Sequence, residues 1–329
     1  MLTTVVARAN SNVALAKYWG KRDEGLNLPH TGSLSVVMAG LTTIAGVSVR
    51  RGGDADRIVM NGEPASAREG GRISAFLDLV RERAGRRDLL EVDVRTNFPV
   101  AAGIASSAST FAALTLAAAA LLGLTLSEAE LSALARRGSG SAARSVPGGY
   151  VEWLRGHACD GSDSVAVQVA PASHWPLGIV VAVTDEGPKR VGSREGMAST
   201  VRESPFFAAW LATHDADLAA IRRGVLARDI ASVGAAAERN CLKMHAVSMA
   251  GPEGLIYWNP ATLAVIDRVH GLRGEGLQAY FTIDAGPQVK VICPRPERDA
   301  VADALERVAG VRRVLLSEPG SGATVVERA

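Results

Sequence analysis

The segment that most restricts the fold runs from residue 89 to 122, where a strand pattern, a loop of small residues and an Ala/Leu-rich helix follow one another. Residues 89–96 alternate apolar and polar side chains, as a half-buried strand does. The helix predicted over residues 106–122 has serines at its start and Gly123 at its end. Small residues let backbone N–H groups approach an anion, and a helix N-terminus carries partial positive charge. The segment therefore fits either a phosphate-binding loop or a helix packed tightly on a sheet, but not a P-loop, because no lysine follows the glycine.

Composition excludes several classes of function. The 329 residues are 47% apolar, enough to fill the cores of one large or two ordinary domains. The net charge of +2 leads us to expect no nucleic-acid partner and no binding to anionic membranes. The longest apolar segment, 111–124, is too short to span a bilayer and the N-terminal residues lack a secretory signal pattern, so a cytoplasmic protein is expected. Three dispersed cysteines and six unclustered histidines indicate neither a disulfide framework nor a protein-bound metal.

The remaining pattern predicts strands and helices in an α+β arrangement. Asn61-Gly62 is a type I′ hairpin signal, and Ser127 with Glu130 forms a capping box before a helix that stops at Gly138. Further strands are predicted at residues 5–8, 34–38, 44–50, 150–154, 165–169 and 177–184, and a further helix at 68–83. Beyond residue 185 we predict three helices, strands at 278–284 and 289–293, a helix at 297–308 and a strand at 311–316. This order is typical of an α+β sandwich in the second half.

The segment KYWGKRD, residues 17–23, places three cations and two aromatic rings within seven residues, directly after an apolar run. Such a cluster fits either a solvated turn or a pocket for a polyanion. Because the net charge is small, any anion binding by this chain has to be local.

A second polar segment is RRGSGSAARSVPGGY, residues 136–150. Ser139 and Ser141 flank Gly140, and Arg144 follows three residues later, so hydroxyls and a guanidinium can converge on a carboxylate or phosphate. The alternative is a flexible linker. Linkers rarely hold arginine and proline at such spacing within a β-rich region, which favours an anion site.

Two polar segments in the second half complete the set. Asp284 ends an apolar strand just before Ala285-Gly286-Pro287, a place where catalytic side chains often lie, although an Asx-turn is the common alternative. Ser193 and Arg194 precede a helix in residues 189–200. They fit either an ordinary helix start or a further anion-binding terminus.

Together these segments resemble the mevalonate diphosphate decarboxylases of the GHMP kinase superfamily. PVAAGIASSA, residues 99–108, is similar to the superfamily's phosphate loop P-x-x-x-G-L-x-S-S-A, with Ala105 where its kinases usually have glycine, as in the decarboxylase branch. KYWGKRD and FTIDAGP are further matches, and the resemblance runs from Ala9 to about Cys293. Five segments in the correct order are not expected of a chance match.

The resemblance implies a GHMP kinase fold of class α+β. Residues 1–184 would form an N-terminal lobe like the second domain of ribosomal protein S5, which binds ATP. Residues 185–329 would form a ferredoxin-like α/β sandwich, with the active cleft between the lobes. The implied reaction converts mevalonate 5-diphosphate and ATP, with Mg²⁺, into isopentenyl diphosphate, carbon dioxide, ADP and phosphate, through phosphorylation of the tertiary hydroxyl. The family usually forms homodimers.

The resemblance also implies roles for individual residues. Asp284 matches the catalytic aspartate that contacts the tertiary hydroxyl and later faces the cationic carbon, and Arg144 matches the arginine that holds the substrate carboxylate. Ser141 would approach the reacting centre, and Lys17 joins the catalytic set. The substrate-binding residues would further include Tyr18, Trp19, Lys21, Arg72, Ser139, Ser193 and Arg194. The ATP phosphates would be bound by Asn97, Ala101, Ala102, Gly103, Ala105, Ser106 and Ser107.

Two alternatives stay open at this point. The first is a phosphomevalonate decarboxylase or a mevalonate 3-kinase of the same fold, and the presence of Lys21 and Arg72 favours a diphosphate substrate over both. The second is a non-catalytic binding protein of the same fold. Such a protein is expected to have lost its catalytic charges, whereas Asp284 and Arg144 are both present.

Overall fold

Two large β-sheets organise the computed structural model, which describes residues 3–98, 106–187 and 189–329. The strands are β1 (Thr4–Ala16), β2 (Lys21–Asp23), β3 (Leu28–Pro29), β4 (Ser33–Val49), β5 (Arg57–Met60), β6 (Glu63–Pro64), β7 (Leu90–Thr96), β8 (Tyr150–Trp153), β9 (Ala166–Ala170), β10 (Leu177–Val183), β11 (Tyr280–Ile283), β12 (Val289–Pro294), β13 (Arg313–Ser317) and β14 (Thr324–Arg328). The helices are α1 (Ala67–Ala84), α2 (Ser106–Leu121), α3 (Glu128–Gly138), α4 (Ser193–Glu203), α5 (Phe207–Ala227), α6 (Ile230–Met249), α7 (Pro260–Gly274) and α8 (Arg298–Glu306).

The first sheet is built on β1 and β4, which pair antiparallel from Thr4 opposite Ser48 to Ala16 opposite Leu34. The strand order is β14-β1-β4-β7-β5-β6, and β8 joins β4 to β9. Helices α1, α2 and α3 pack on this sheet. Because α2 is almost entirely alanine, leucine and small polar residues, it is buried on nearly all sides. Even so, no helix in the described part of the chain has the length and apolar content needed to cross a bilayer.

The second sheet is antiparallel with the order β11-β12-β10-β13. One of its faces is covered by α7 and α8. The other face shares a hydrophobic core with the first sheet and with α5 and α6, in which Val13 and Leu15 of β1 join Ile179 and Val181 of β10. The ends of β1 and β11 therefore meet where the two sheets pack together.

The structure confirms the predicted α+β architecture and most local signals. The hairpin at Asn61 and Gly62 has the positive φ angles of a type I′ turn, 52° and 88°, and the capping box of Ser127 and Glu130 is present. Several predictions were wrong or incomplete: the two strands predicted at 34–38 and 44–50 form the single strand β4, and four helices, not three, lie between residue 185 and β11. In addition, β1 is much longer than its apolar run, and β2, β3 and β14 were not predicted. The predicted lobe boundary after residue 184 stays a prediction, but β14, assigned there to the second lobe, pairs with β1 in the first sheet.

Candidate active site

An ion-paired cluster lies where β1 and β11 end. Lys17, the first residue after β1, places Nζ 2.8 Å from Oδ1 of Asp284, the first residue after β11. Lys290 of β12 places its Nζ 3.1 Å from the other carboxylate oxygen, Oδ2. Both lysine side chains are 1% exposed, whereas the Asp284 side chain is 24% exposed. The two buried lysines thus hold the carboxylate, while part of the Asp284 side chain remains exposed.

The two ammonium groups determine the charge of Asp284. Burial by itself raises the pKa of the carboxyl, but the charges of Lys17 and Lys290 outweigh it and hold the pKa well below its usual range. Burial lowers the pKa of Lys290, and the Asp284 carboxylate opposes this effect. Asp284 is therefore a carboxylate at neutral pH and a weak proton acceptor in the unliganded site.

Sequence reasoning did not identify Lys290. Its position follows from the pairing of β11 with β12, in which Lys290 lies opposite Thr282. A signal was present, because a lysine in the buried apolar run VKVIC needs a nearby anion to offset its desolvation.

Arg144 lies in a 3-10 helix, Gly140–Ser145, and is buried. Its guanidinium donates from Nη1 to Ser33 Oγ at 2.7 Å and from Nε to Ser35 Oγ, so two hydroxyls of β4 fix its plane. Burial lowers the pKa of Arg144 to about 10, and the Asp284 carboxylate opposes that shift. Arg144 and Asp284 therefore belong to one electrostatic site. Because the segment is a buried helical turn, the alternative of a flexible linker is wrong.

Three of the predicted serines meet at the start of α2. Ser139 Oγ lies 3.3 Å from Ser107 Oγ and 3.4 Å from Ser141 Oγ. Ser106 is the first residue of α2. The serines predicted for ATP and those predicted for the substrate thus adjoin, as transfer of a phosphoryl group between the two ligands requires.

The other residues predicted for ATP differ in what the structure describes. Ala101, Ala102, Gly103 and Ala105 lie outside the described residues. The Asn97 side chain accepts from the Thr42 N–H at 2.9 Å and donates to the Gly40 carbonyl at 2.8 Å, so it holds the end of β7 against β4. Its contact with a nucleotide stays a prediction.

A second group of charges, which we call the cation cluster, consists of Lys21, Arg72 and Arg194. Arg72 donates to the Gly138 carbonyl at 2.8 Å and stacks on the Phe111 ring, 4.5 Å from its centroid. None of the three makes an ion pair with an acidic residue in the described ranges.

The members of the cation cluster repel one another. Burial lowers the pKa of Lys21 to about 8 and that of Arg72 to about 10, and in both cases the charge of Arg194 adds to the shift. Glu24 and Glu69 oppose these shifts from a distance. Three cations held together without a paired acid form a site for a polyanion.

The structure divides KYWGKRD among four environments, so the alternative of a solvated turn is wrong. Tyr18 packs edge-on to Trp153 at 4.8 Å, its hydroxyl is buried without a hydrogen-bond partner among the described residues, and burial raises its pKa. Trp19 instead lies in an apolar cluster with Phe207 and Trp210, which gives it a packing role. Lys17 lies at the carboxylate and Lys21 in the cation cluster.

Ser193 begins α4, and its Oγ accepts a long hydrogen bond of 3.4 Å from Lys189 Nζ. Burial lowers the pKa of Lys189 to about 8, the charge of Lys290 lowers it further, and Asp284 opposes both. Lys189 is therefore another cation that faces the reaction centre and that sequence reasoning missed.

The fold and these two groups of charged residues define an enzyme of the GHMP kinase class that acts on a phosphorylated small molecule. Family models agree: residues 9–166 match the diphosphomevalonate decarboxylase-like N-terminal domain, and residues 179–321 match the mevalonate 5-diphosphate decarboxylase C-terminal domain. The chain belongs to the diphosphomevalonate decarboxylase family.

Individual relatives are similar over nearly the whole chain. The diphosphomevalonate decarboxylase of Aspergillus fumigatus is 37% identical over 321 residues, which cover 91% of this chain and 79% of the relative. The crystal structure of mevalonate diphosphate decarboxylase from Staphylococcus aureus superposes with a TM-score of 0.93 at 36% identity and covers 99% of both chains. A structure of MDDEF in complex with MVAPP, AMPPCP and magnesium also has a TM-score of 0.93, at 35% identity, covering 99% of this chain and 100% of that one.

Proposed function

We propose that the protein catalyses the ATP-dependent decarboxylation of mevalonate 5-diphosphate to isopentenyl diphosphate, with release of carbon dioxide, ADP and phosphate. The observation that carries this proposal is the cation cluster of Lys21, Arg72 and Arg194 together with the ion-paired Asp284. The two groups are linked through Tyr18, because the charges of both Arg194 and Arg144 act on its buried hydroxyl, and Asp284 in turn acts on Arg144. A diphosphate ester carries about three negative charges near neutral pH, which matches three cations. The complex of the similar MDDEF with MVAPP and AMPPCP supports both ligand types.

Asp284 would act twice in this reaction. In the first step its carboxylate accepts a hydrogen bond from the tertiary hydroxyl and so orients the oxygen toward the phosphoryl group of ATP. Because the pKa of Asp284 is held low, the proton is transferred late, when the new oxygen–phosphorus bond has made the hydroxyl acidic. In the second step, phosphate leaves the tertiary carbon, and the same carboxylate stabilises the developing positive charge.

Arg144 would hold the carboxylate of the substrate. Ser33 and Ser35 accept from two of its N–H groups, and the remaining donors of the planar fork would bind the anion. Orienting the substrate carboxylate aligns the bond that breaks: its electron pair forms the new double bond as carbon dioxide departs. Alignment of this kind contributes to the rate without any proton transfer.

The residues at the start of α2 fit the phosphates of ATP. Ser106 and Ser107 offer hydroxyl groups at the positive end of a long helix. The described ranges contain no group of three or more His, Cys, Asp or Glu side chains suited to a metal ion. Mg²⁺ would therefore be held mainly by the nucleotide phosphates, whose charge it neutralises when bound.

The proposal extends to the setting of the enzyme. We infer a cytoplasmic homodimer that binds neither nucleic acid nor membrane. The near-balanced charge of 36 basic and 34 acidic residues supports the absence of both polyanionic partners.

Product analysis tests the proposed function. Mevalonate 5-diphosphate, mevalonate 5-phosphate and free mevalonate are each supplied with Mg-ATP, and carbon dioxide and ADP are measured together. We expect equal amounts of both products from the diphosphate, and at least about tenfold lower kcat/KM with the monophosphate, because it makes fewer charge-assisted contacts with the cation cluster.

The other outcomes identify the alternatives. Preference for the monophosphate would show a phosphomevalonate decarboxylase, and ADP without carbon dioxide from free mevalonate would show a 3-kinase. Absence of turnover with all three compounds would show a binding protein and would overturn the proposal.

A further inference from the structure

One helix of the second half, α6, contacts both sides of the Lys17–Asp284 ion pair. On the first side, the N–H of Lys17 donates to Asn240 Oδ1 at 2.8 Å. On the second side, α6 holds Ile283, the residue just before Asp284. The Ile283 N–H donates to Cys241 Sγ at 3.1 Å, and its carbonyl lies 3.2 Å from Nε2 of His245.

The protonation state and tautomer of His245 follow from its surroundings. Burial lowers its pKa to about 3, and the charge of Lys17 contributes to the same shift, so the imidazole is neutral at physiological pH. A carbonyl oxygen only accepts hydrogen bonds, so the single ring proton lies on Nε2 and is donated to Ile283. The ring is packed against Trp258 at 4.7 Å between centroids. This hydrogen bond is therefore constant across the working pH range.

Asn240 is itself oriented by a buried network. Its Nδ2 donates to Asp217 Oδ2 at 3.2 Å, which leaves Oδ1 for the Lys17 N–H. The Asp217 carboxylate is buried and ion-paired with Arg239 at 2.8 Å and Lys243 at 2.7 Å. Burying a carboxylate and an amide costs free energy that burying two apolar side chains would not. Core packing alone therefore does not explain the network, and its effect is to fix the orientation of Asn240.

We propose that α6 is the positioning helix of the reaction centre: Asn240 fixes the backbone of Lys17, and Cys241 and His245 fix the strand end that presents Asp284. Because the three residues lie on one rigid helix, the spacing between the ammonium and the carboxylate is maintained although they come from opposite ends of the chain. These are positioning residues, since all three are buried, at most 1% exposed, and act through Lys17 and Asp284. The inference rests on the proposed function, which makes Lys17 and Asp284 the reaction centre.

Steady-state kinetics of α6 variants test this role. His245→Leu removes the hydrogen bond to Ile283, and Asn240→Leu removes the acceptor for Lys17. We expect each to lower kcat about tenfold or more, because small displacements of reacting groups have large effects on rate. KM for both substrates should change less than about threefold, because the cation cluster and α2 are untouched.

Rescue and a matched control separate positioning from stability. His245→Gln keeps an N–H donor near the place of Nε2 and should recover most of the lost kcat. Ser248→Ala on the same helix removes a buried hydroxyl that donates to the Met244 carbonyl within α6 at 2.8 Å, and kcat should stay at the parental value. Thermal unfolding of each variant accounts for any loss of folded enzyme.

Several results would overturn the proposal. One is kcat within threefold of the parent for both leucine variants, and another is a raised KM with kcat unchanged. If a leucine variant fails to fold, Cys241→Ala decides the question, because it removes the sulfur contacts with little change in volume, and parental kcat would contradict the proposal. Asp284→Asn in the same assay keeps the two hypotheses apart: its full activity would refute the proposed reaction centre, whereas an inactive Asp284→Asn beside an active His245→Leu would refute only the positioning role.

Discussion

Two groups of charged residues, the cation cluster and the reaction centre, differ in how their charges are balanced. The cation cluster of Lys21, Arg72 and Arg194 contains three cations and no paired acid among the described residues, and the charge of Arg194 adds to the lowering of the pKa that burial causes in Lys21 and Arg72. In the reaction centre, Lys17 and Lys290 each contact one oxygen of Asp284, at 2.8 and 3.1 Å. In the free protein the charges of the cation cluster lack a paired acid, whereas the charges of the reaction centre are already ion-paired.

This difference separates binding from chemistry. A bound polyanion relieves the repulsion within the cation cluster. The free energy gained in this way contributes to the affinity for the substrate. The reaction centre is oriented before any ligand binds, and preorganised charge acts on the transition state rather than on the ground state. Changes in the cation cluster should therefore raise KM, and changes in the reaction centre should lower kcat.

The largest expected effect is at Asp284. The amide of Asp284→Asn has the shape of the carboxylate, but it neither accepts the proton nor offsets the positive charge on the tertiary carbon. Loss of a general base lowers rates by about 10²- to 10⁴-fold, so kcat should fall at least about a hundredfold. Release of carbon dioxide and formation of ADP are measured in one assay.

Ligand binding and unfolding temperature serve as controls for Asp284→Asn. Affinity for the diphosphate should persist, because the cation cluster is intact, while thermal stability should fall, since Lys17 and Lys290 lose their counter-charge. Turnover within tenfold of the parent would exclude Asp284 as the catalytic carboxylate. Formation of ADP without carbon dioxide would show that it acts mainly in the second step.

The next largest effect concerns the cation cluster. Lys21→Ala and Arg72→Ala each remove a charge-assisted contact of roughly 1.5 to 3 kcal/mol, which corresponds to about 10- to 150-fold weaker binding of the diphosphate. Affinity for ATP should change little, which calorimetry with each ligand separately will show. Arg83→Ala is a matched control for Arg72→Ala, because Arg83 lies on the same helix, α1, and pairs with Glu130 at the surface. Parental affinity in both test variants would mean that another group binds the diphosphate.

The smallest effect is a pH dependence of KM for the diphosphate, which we expect to arise from Lys21. In the unliganded protein the pKa of Lys21 is lowered to about 8, chiefly by burial, so its proton is lost as the pH rises through this value. KM for the diphosphate should then rise up to about tenfold per pH unit above 8, because a single protonation is involved. Lys21→Arg keeps its charge and should give a flat profile over the same range. A steep profile in that variant would assign the effect to another group.

The same shift predicts a stability effect of known sign. The folded pKa of about 8 lies below the ordinary value of 10.5, so between these values the unfolded chain binds more protons. The free energy of unfolding attributable to Lys21 therefore rises with pH across this window and is lowest below it. Denaturant titrations of the ligand-free parent and of Lys21→Arg at pH 7.5 and about 10 compare the two directly.

Elements with local signals could be predicted from the sequence. The hairpin at Asn61 and Gly62 and the capping box of Ser127 and Glu130 depend on contacts within three residues, and both are present. The strand β14 could not be predicted, because it pairs with β1, at the other end of the chain. The full length of β1 was missed for a related reason: Asn10 and its polar neighbours disfavour a strand until pairing with β4 satisfies them.

The amino-acid sequence by itself determined the family and the residue types of the reaction, because KYWGKRD, the small-residue loop and FTIDAGP are local patterns that occur in a fixed order. Only the tertiary structure decided which cations are paired. Lys17 and Lys21 lie in the same short segment, yet one binds a carboxylate 267 residues further along and the other has no acidic partner in the described chain. The ion pair of Lys290 and the contacts of α6 with Lys17 and Ile283 could be identified only in the structure, for the same reason. The energy of two charges depends on their separation in space and on the surrounding dielectric, and neither quantity is recorded in residue order.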